Sequence, residues 1–335
     1  MASTLALPVD SRSPGPAVPS ADPPTTAIET RAAIRCFHRR HRARCNRGWR
    51  PEGGGEAMRM HGCGANRHSG VLGALMIAVL LVACQQPLPR GEAAPDPATA
   101  VFTDEFDGPA GSLPDRGKWA PDVGGHGWGN EELQFYTESG NVFLDGDGHL
   151  VIEARKAEEP LECWYGRCDY ISGKITTKSL FAQRYGMFEA RVKSAVGTGM
   201  WGGFWMLGSN IDDIGFPEAG EIDILETLGH RVRDVEQHVQ APDLRWGAEH
   251  VLPEGQSVGD WHTYAVRWYP DHIDWYVDGE VTRTFTADEA GGSWVFDHPF
   301  YLLLNLSVGG EWPGPPDADT VFPNRMLVDY VRVYG

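Results

Sequence analysis

From residue 100 to the end of the chain, apolar and polar residues alternate in short runs, and Gly, Pro, Asn and Asp interrupt them repeatedly. A period of two sends successive side chains to opposite faces of an extended chain. No long stretch shows the period of a helix. "GHLVIEARK", "GMFEARVKS", "HTYAVRWYP", "HIDWYVDGEVTRTF", "YLLLNLSVGG" and "MLVDYVRVYG" therefore read as strands, with Asp278-Gly279 a hairpin turn. About 250 residues of this kind can form one all-β domain. The expectation is an antiparallel sandwich of two sheets, curved enough to leave a cleft on one face.

The segment before it differs. Residues 1–84 hold 11 Arg, no Lys and 5 acids, whereas residues 85–335 hold 18 Lys+Arg and 41 acids. An acidic body of this kind argues against nucleic acid and anionic ligands and suits a neutral one. It also carries 11 of the 12 Trp, whose flat rings suit both a core and the apolar faces of sugars. Residues 71–84, "VLGALMIAVLLVAC", are too short an apolar run to span a bilayer and follow Arg59 and Arg67, so residues 58–84 read as a signal peptide. "LVAC" resembles a bacterial lipobox, which implies cleavage before Cys84 and lipidation of it; a plain secretory signal is the alternative. Gln85 in the next position favours the outer membrane. Residues 85–99, rich in Pro and Ala, read as a tether. Residues 1–57 read as a non-native or disordered extension, with Met58 or Met60 the true start. Export would allow Cys163 and Cys168 to close "CWYGRC" as a disulfide.

"GEIDILET" poses a register problem. On a regular strand Glu221 and Asp223 share a face while Glu226 points away. On a helix Glu221 and Glu226 lie roughly 140° apart. A β-bulge near Ile224-Leu225 adds one residue and brings all three acids to one side. Two carboxyls so placed can act as nucleophile and acid/base of a retaining glycosidase, with the Asp between them separating their pKa values. A solvated acidic edge or a calcium site is the alternative for the motif alone.

"WGNEELQFYT" (128–137), "YGMFEARVK" (185–193), "GMWGGFWMLG" (199–208), "FPEAGEIDILE" (216–226), "WHTYAVRWYPDHIDWYVDG" (261–279), "LNLSVGGEWPG" (304–314) and "VDYVRVYG" (328–335) occur in this order. In this the chain resembles glycoside hydrolase family 16, and within it the bacterial laminarinases. The resemblance implies a β-jelly roll over residues 100–335 with a sugar cleft on its concave sheet. It implies Glu221 as nucleophile, Asp223 as its helper, Glu226 as acid/base, and retaining endo-hydrolysis of β-1,3-glucan. It further implies sugar contacts by Asn130, Glu131, Arg191, Trp201, Trp205 and His238. Trp312 lines the rim or anchors a loop, and His262 satisfies a core hydrogen bond. Where the family usually has Trp-Pro-Ala, this chain has Trp201-Gly202-Gly203, which is expected to open room beside Trp201. The resemblance also implies a structural calcium on the convex side at Glu105, the Gly148 carbonyl and Asp329, two paired acids without metal being the alternative, and no catalytic cofactor. The partner expected is a polysaccharide, with no nucleic acid, a monomeric chain, and membrane contact only through the lipid. Another glycan, such as agarose or porphyran, and a non-catalytic glucan-binding protein are the rival functions.

Overall fold

The computed structural model describes residues 95–335, so the signal segment, Cys84 and most of the tether lie outside the described residues. Helix among the described residues is confined to short turns at Pro97–Thr99 and Ile211–Ile214. Two sheets carry the rest. The first runs β17 (Glu280–Thr286), β16 (His272–Val277), β15 (His262–Trp268), β10 (Gly186–Lys193), β19 (Asn324–Tyr334), β5 (Leu150–Lys156), β8 (Tyr170–Ser172), β3 (Gln134–Tyr136). On it, β1 (Phe102–Asp104) pairs with β19 and β4 (Val142–Leu144) with β5. The second runs β14 (Leu244–Val251), β13 (Asp234–Ala241), β12 (Glu221–Leu228), β11 (Met200–Gly208), β18 (Phe300–Val308), β9 (Lys174–Thr176), β2 (Ala120–Pro121). A separate small hairpin, β6 (Glu162–Cys163) and β7 (Gly166–Arg167), is closed by a Cys163–Cys168 disulfide.

Named strands pair antiparallel, except that β3 and β8 run parallel. The alternation seen in the sequence fixes the faces. On β11, Met200, Phe204 and Met206 enter a core shared with Phe188, Ala190 and Val192 of β10 and Val328, Val331 and Val333 of β19. The hairpin at Asp278-Gly279 has positive φ at both positions (51° and 81°), the left-handed geometry whose twist matches two flanking strands. His262, buried beneath it, contacts Asp278 Oδ2 through Nδ1 (2.6 Å) and the Ser257 carbonyl through Nε2 (3.1 Å), so it is a structural residue.

Candidate active site

The register of β12 breaks once. Against β11, Leu225 pairs with Phe204 and Asp223 with Trp205, leaving Ile224 unpaired. Against β13, Asp223 pairs with His238 and Glu226 with Glu236, so two residues of β12, Ile224 and Leu225, stand against one of β13, Gln237. This is a β-bulge. Its cause is local: Ile224 and Leu225 are both fully buried in the core, so two consecutive apolar side chains enter it and Glu226 returns to the outer face.

Glu221, Asp223 and Glu226 thus share the outer face of the second sheet with residues of the neighbouring strands. Gln240, His238 and Glu236 stand opposite them on β13, and Trp205 and Gly203 on β11. Trp201 follows Gly203 at the next position of that face. Glu226 is held on both oxygens: Trp201 Nε1 donates to Oε1 (3.1 Å), and His238 Nδ1 lies 3.1 Å from Oε2. Trp312 packs edge-on against both Trp201 and His238, with centroids 5.3 and 5.8 Å away. It is therefore a wall of this site. The His238 ring packs against its β14 neighbour Gly247, where a Cβ would collide with it. Gln240 Nε2 donates to Glu221 Oε1.

Asp223 differs from its neighbours. It is 2% exposed, and its Oδ2 has no hydrogen-bond partner. Burial, reinforced by the charges of Glu221 and Glu226, pushes its carboxyl well above the usual range. Glu221 is pushed up to about 8, first by burial and then by Glu226, against the Gln240 hydrogen bond and the charges of Lys174 and Arg245. Within this coupled pair the proton belongs to Asp223, which has no donor to stabilise an anion.

Part of the face was not legible as a site. Trp205 Nε1 donates to Asn305 Oδ1 (2.7 Å), and Asn305 Nδ2 reaches Tyr136 Oη (3.1 Å) and Ser307 Oγ (3.0 Å). Buried Glu132 accepts from Tyr136 Oη, and burial raises its pKa. Lys174 Nζ sits 3.9 Å from the Trp128 ring centroid and 5.1 Å from that of Trp205. Asn305 and Ser307 have the parity of Trp201 and Trp205 across the β11–β18 pair, a signal that a strand alignment of "LLLNLSV" would have used. Asn130 and Glu131 lie in the turn before β3, Glu131 exposed and the Asn130 carbonyl accepting from Glu311 N (2.7 Å).

Two expectations need correction. Arg191 is not on the cleft floor: β10 belongs to the first sheet, where Arg191 Nη1 bonds Asp329 Oδ2 (2.5 Å) and the guanidinium covers Trp261 at 5.0 Å. Nor does Gly202-Gly203 open room. A Cβ on Gly203 would lie 2.9 Å from Asn305 Oδ1, and one on Gly202 2.6 Å from Ser194 Oγ, so neighbours already fill both places. In the expected calcium set both acids have guanidinium partners. Both Glu105 oxygens accept from Arg332 (2.8 and 2.7 Å), and Asp329 accepts from Arg191.

An all-β sandwich with grouped carboxylates and indole rings on one open sheet face defines a glycan-processing protein. The glycosyl hydrolases family 16 model matches residues 129–332. A β-glucanase of Rhodothermus marinus is 37% identical over 288 residues, covering 78% of this chain and 93% of its own. The catalytic domain of an endo-1,3-β-glucanase (laminarinase) from Thermotoga petrophila has a TM-score of 0.66 at 43% identity, over 70% of this chain and 97% of that one. An endo-β-1,3-glucanase from Pyrococcus furiosus gives 0.67 at 42%, over 70% and 94%. The chain belongs to glycosyl hydrolase family 16 and is a glycosidase with the jelly-roll fold of that family, whose members need no catalytic cofactor.

Proposed function

We propose that this chain is a retaining endo-β-1,3-glucanase in which Glu221 is the nucleophile, Glu226 the acid/base and Asp223 the helper. The observation that carries the assignment is the bulge at Ile224, which aligns the three acids and leaves Glu226 between Trp201 and His238. Glu221 attacks the anomeric carbon while Glu226 protonates the departing glycosidic oxygen, giving a covalent glycosyl-enzyme. Glu226 then takes a proton from the water that attacks the same carbon, and two inversions retain the configuration. Asp223, kept protonated by burial beside Glu221, keeps a further negative charge away from the nucleophile, whose Oε1 accepts from Gln240. Trp201 Nε1 stabilises Glu226 when its proton is gone. Trp205, Asn130, Glu131, His238 and Trp312 bind the glucan, as Trp201 also does.

The relatives' names support laminarin-type substrates, and the acidic body supports a neutral glycan over a sulfated one. The test is release of reducing ends from laminarin, barley β-glucan, agarose and carrageenan by the wild-type, Glu221→Gln and Glu226→Gln chains. Activity is expected on laminarin, and in neither variant, with fold retained in both. A wild-type chain that cuts agarose but not laminarin would overturn the substrate. Near-wild-type turnover by either variant would overturn the roles. The chain further acts as a monomer tethered to the cell envelope through lipidated Cys84; failure of labelled palmitate to enter the wild-type protein, as in Cys84→Ala, would refute the tether.

A further inference from the structure

We infer that Trp164, presented by the disulfide-closed hairpin of β6 and β7, is an additional glucosyl platform that extends the cleft beyond the turn before β3. The inference rests on the β-1,3-glucanase reading above and names a subsite for it. Trp164 is 46% exposed, among the most open large apolar side chains of the described residues. Yet it is not loose. Its backbone N–H donates to the Gly125 carbonyl (2.8 Å), and its Nε1 donates to the Glu132 carbonyl (2.8 Å). Tyr165 packs edge-on against it at 5.4 Å and donates its hydroxyl to the Leu133 carbonyl (2.7 Å). The approach needs glycine on the opposing turn: a Cβ at Gly125 would meet Cys163 Sγ at 2.8 Å, and one at Gly127 would meet Trp164 at 3.0 Å.

The turn that holds Trp164 is continuous with the site. Leu133 donates its N–H to the Val308 carbonyl at the end of β18, while its carbonyl accepts from Tyr165. Lys174, on β9 beyond β18, lies over the rings of both Trp205 and Trp128, and Trp164 abuts Gly127 of the turn that carries Trp128. β18 is itself two strands, roughly 10 Å, from the acids on β12. Trp205 on β11 beside Asp223, Trp128 across Lys174 from it, and Trp164 against Gly127 next to Trp128 form a series of indoles that starts at the acids. A half-exposed indole with its polar N–H already satisfied offers one apolar face, which suits the C–H face of a glucosyl unit. Holding the ring by a disulfide removes the ordering cost that a free loop would incur on binding. Only a chain long enough to run from the acids past the turn would reach it.

The experiment is calorimetric titration of laminari-oligosaccharides, from trimer to heptamer, into full chains carrying Glu221→Gln to prevent turnover. With Trp164 present, affinity is expected to rise with length until the platform is filled. Adding Trp164→Ala should cut affinity for the longest oligosaccharide about 3- to 10-fold relative to the trimer. Trp164→Phe keeps a ring but loses the bond to Glu132, and should retain most of the gain. A Phe chain as weak as the Ala chain would reduce Trp164 to a loop anchor and overturn the inference. An identical length dependence in all three chains would overturn it as well. A parent chain that binds no laminari-oligosaccharide would overturn the glucan reading and this subsite together. Cys163→Ser with Cys168→Ser is expected to lose part of the gain, and full retention would overturn the role of the clamp.

Discussion

Asp223→Asn is expected to stabilise the protein, and increasingly so as pH rises. The wild-type carboxyl is 2% exposed, has an unpartnered Oδ2 and stands between Glu221 and Glu226 on one face. Burial raises its pKa well above 3.8 in the folded chain, whereas an unfolded chain releases the proton near its ordinary value. Between those two values the folded state binds one proton more than the unfolded state. Stability then falls as pH rises, by about 1.4 kcal/mol per unit. Asn, of nearly the same size and without a proton to release, does not incur this loss. Glu221, raised to about 8, titrates in both chains and largely cancels from the difference. Urea unfolding of both chains at pH 5, 6 and 7 measures the gap. It should widen with pH, at a slope of up to about 1.4 kcal/mol per unit while the folded chain holds the proton that the unfolded chain has released. Parallel curves, or a gap that narrows, would mean that Asp223 is ionised in the folded state, and the assignment of the proton would be wrong.

Trp201→Phe removes the N–H that reaches Glu226 Oε1 while keeping an aromatic wall beside Trp312. A hydrogen bond to a charged acceptor is worth about 1.5–3 kcal/mol, so kcat on laminarin should fall roughly 10- to 150-fold with little change in Tm; a change confined to KM would contradict this. Because Arg332 and Arg191 already pair with Glu105 and Asp329, Tm by calorimetry should be the same with and without a chelator. A chelator-induced fall that added calcium reverses would show that the ion displaces both arginines. Glu226→Ala given an aryl β-glucoside with a good leaving group and azide should yield a β-glycosyl azide, detectable by NMR: the phenolate departs without protonation, and azide then attacks the glycosyl-enzyme without needing a base. An α-configured azide would reverse the roles of Glu221 and Glu226.

The sequence by itself determined the strands, the faces and the need for a bulge. Side chains alternate with a period of two, so Glu221, Asp223 and Glu226 cannot share a face without one extra residue, and Ile224-Leu225 is the apolar pair that can absorb it. The same parity put Trp201 and Trp205 together, and the left-handed Asp278-Gly279 turn was legible from its residue types. What parity cannot give is which of two sheets a strand joins. Arg191 has the outward parity of a surface residue, but only the pairing of β10 with β19 sends it to the first sheet and to Asp329, 138 residues away. Likewise Gly202-Gly203 looks like open space until Ser194 and Asn305 arrive from other strands to fill it. The proton on Asp223 is a tertiary property too. A carboxyl is written in the sequence, but the burial, the neighbouring charges and the missing donor that keep it neutral come from strands paired across the sheet and from the core beneath it.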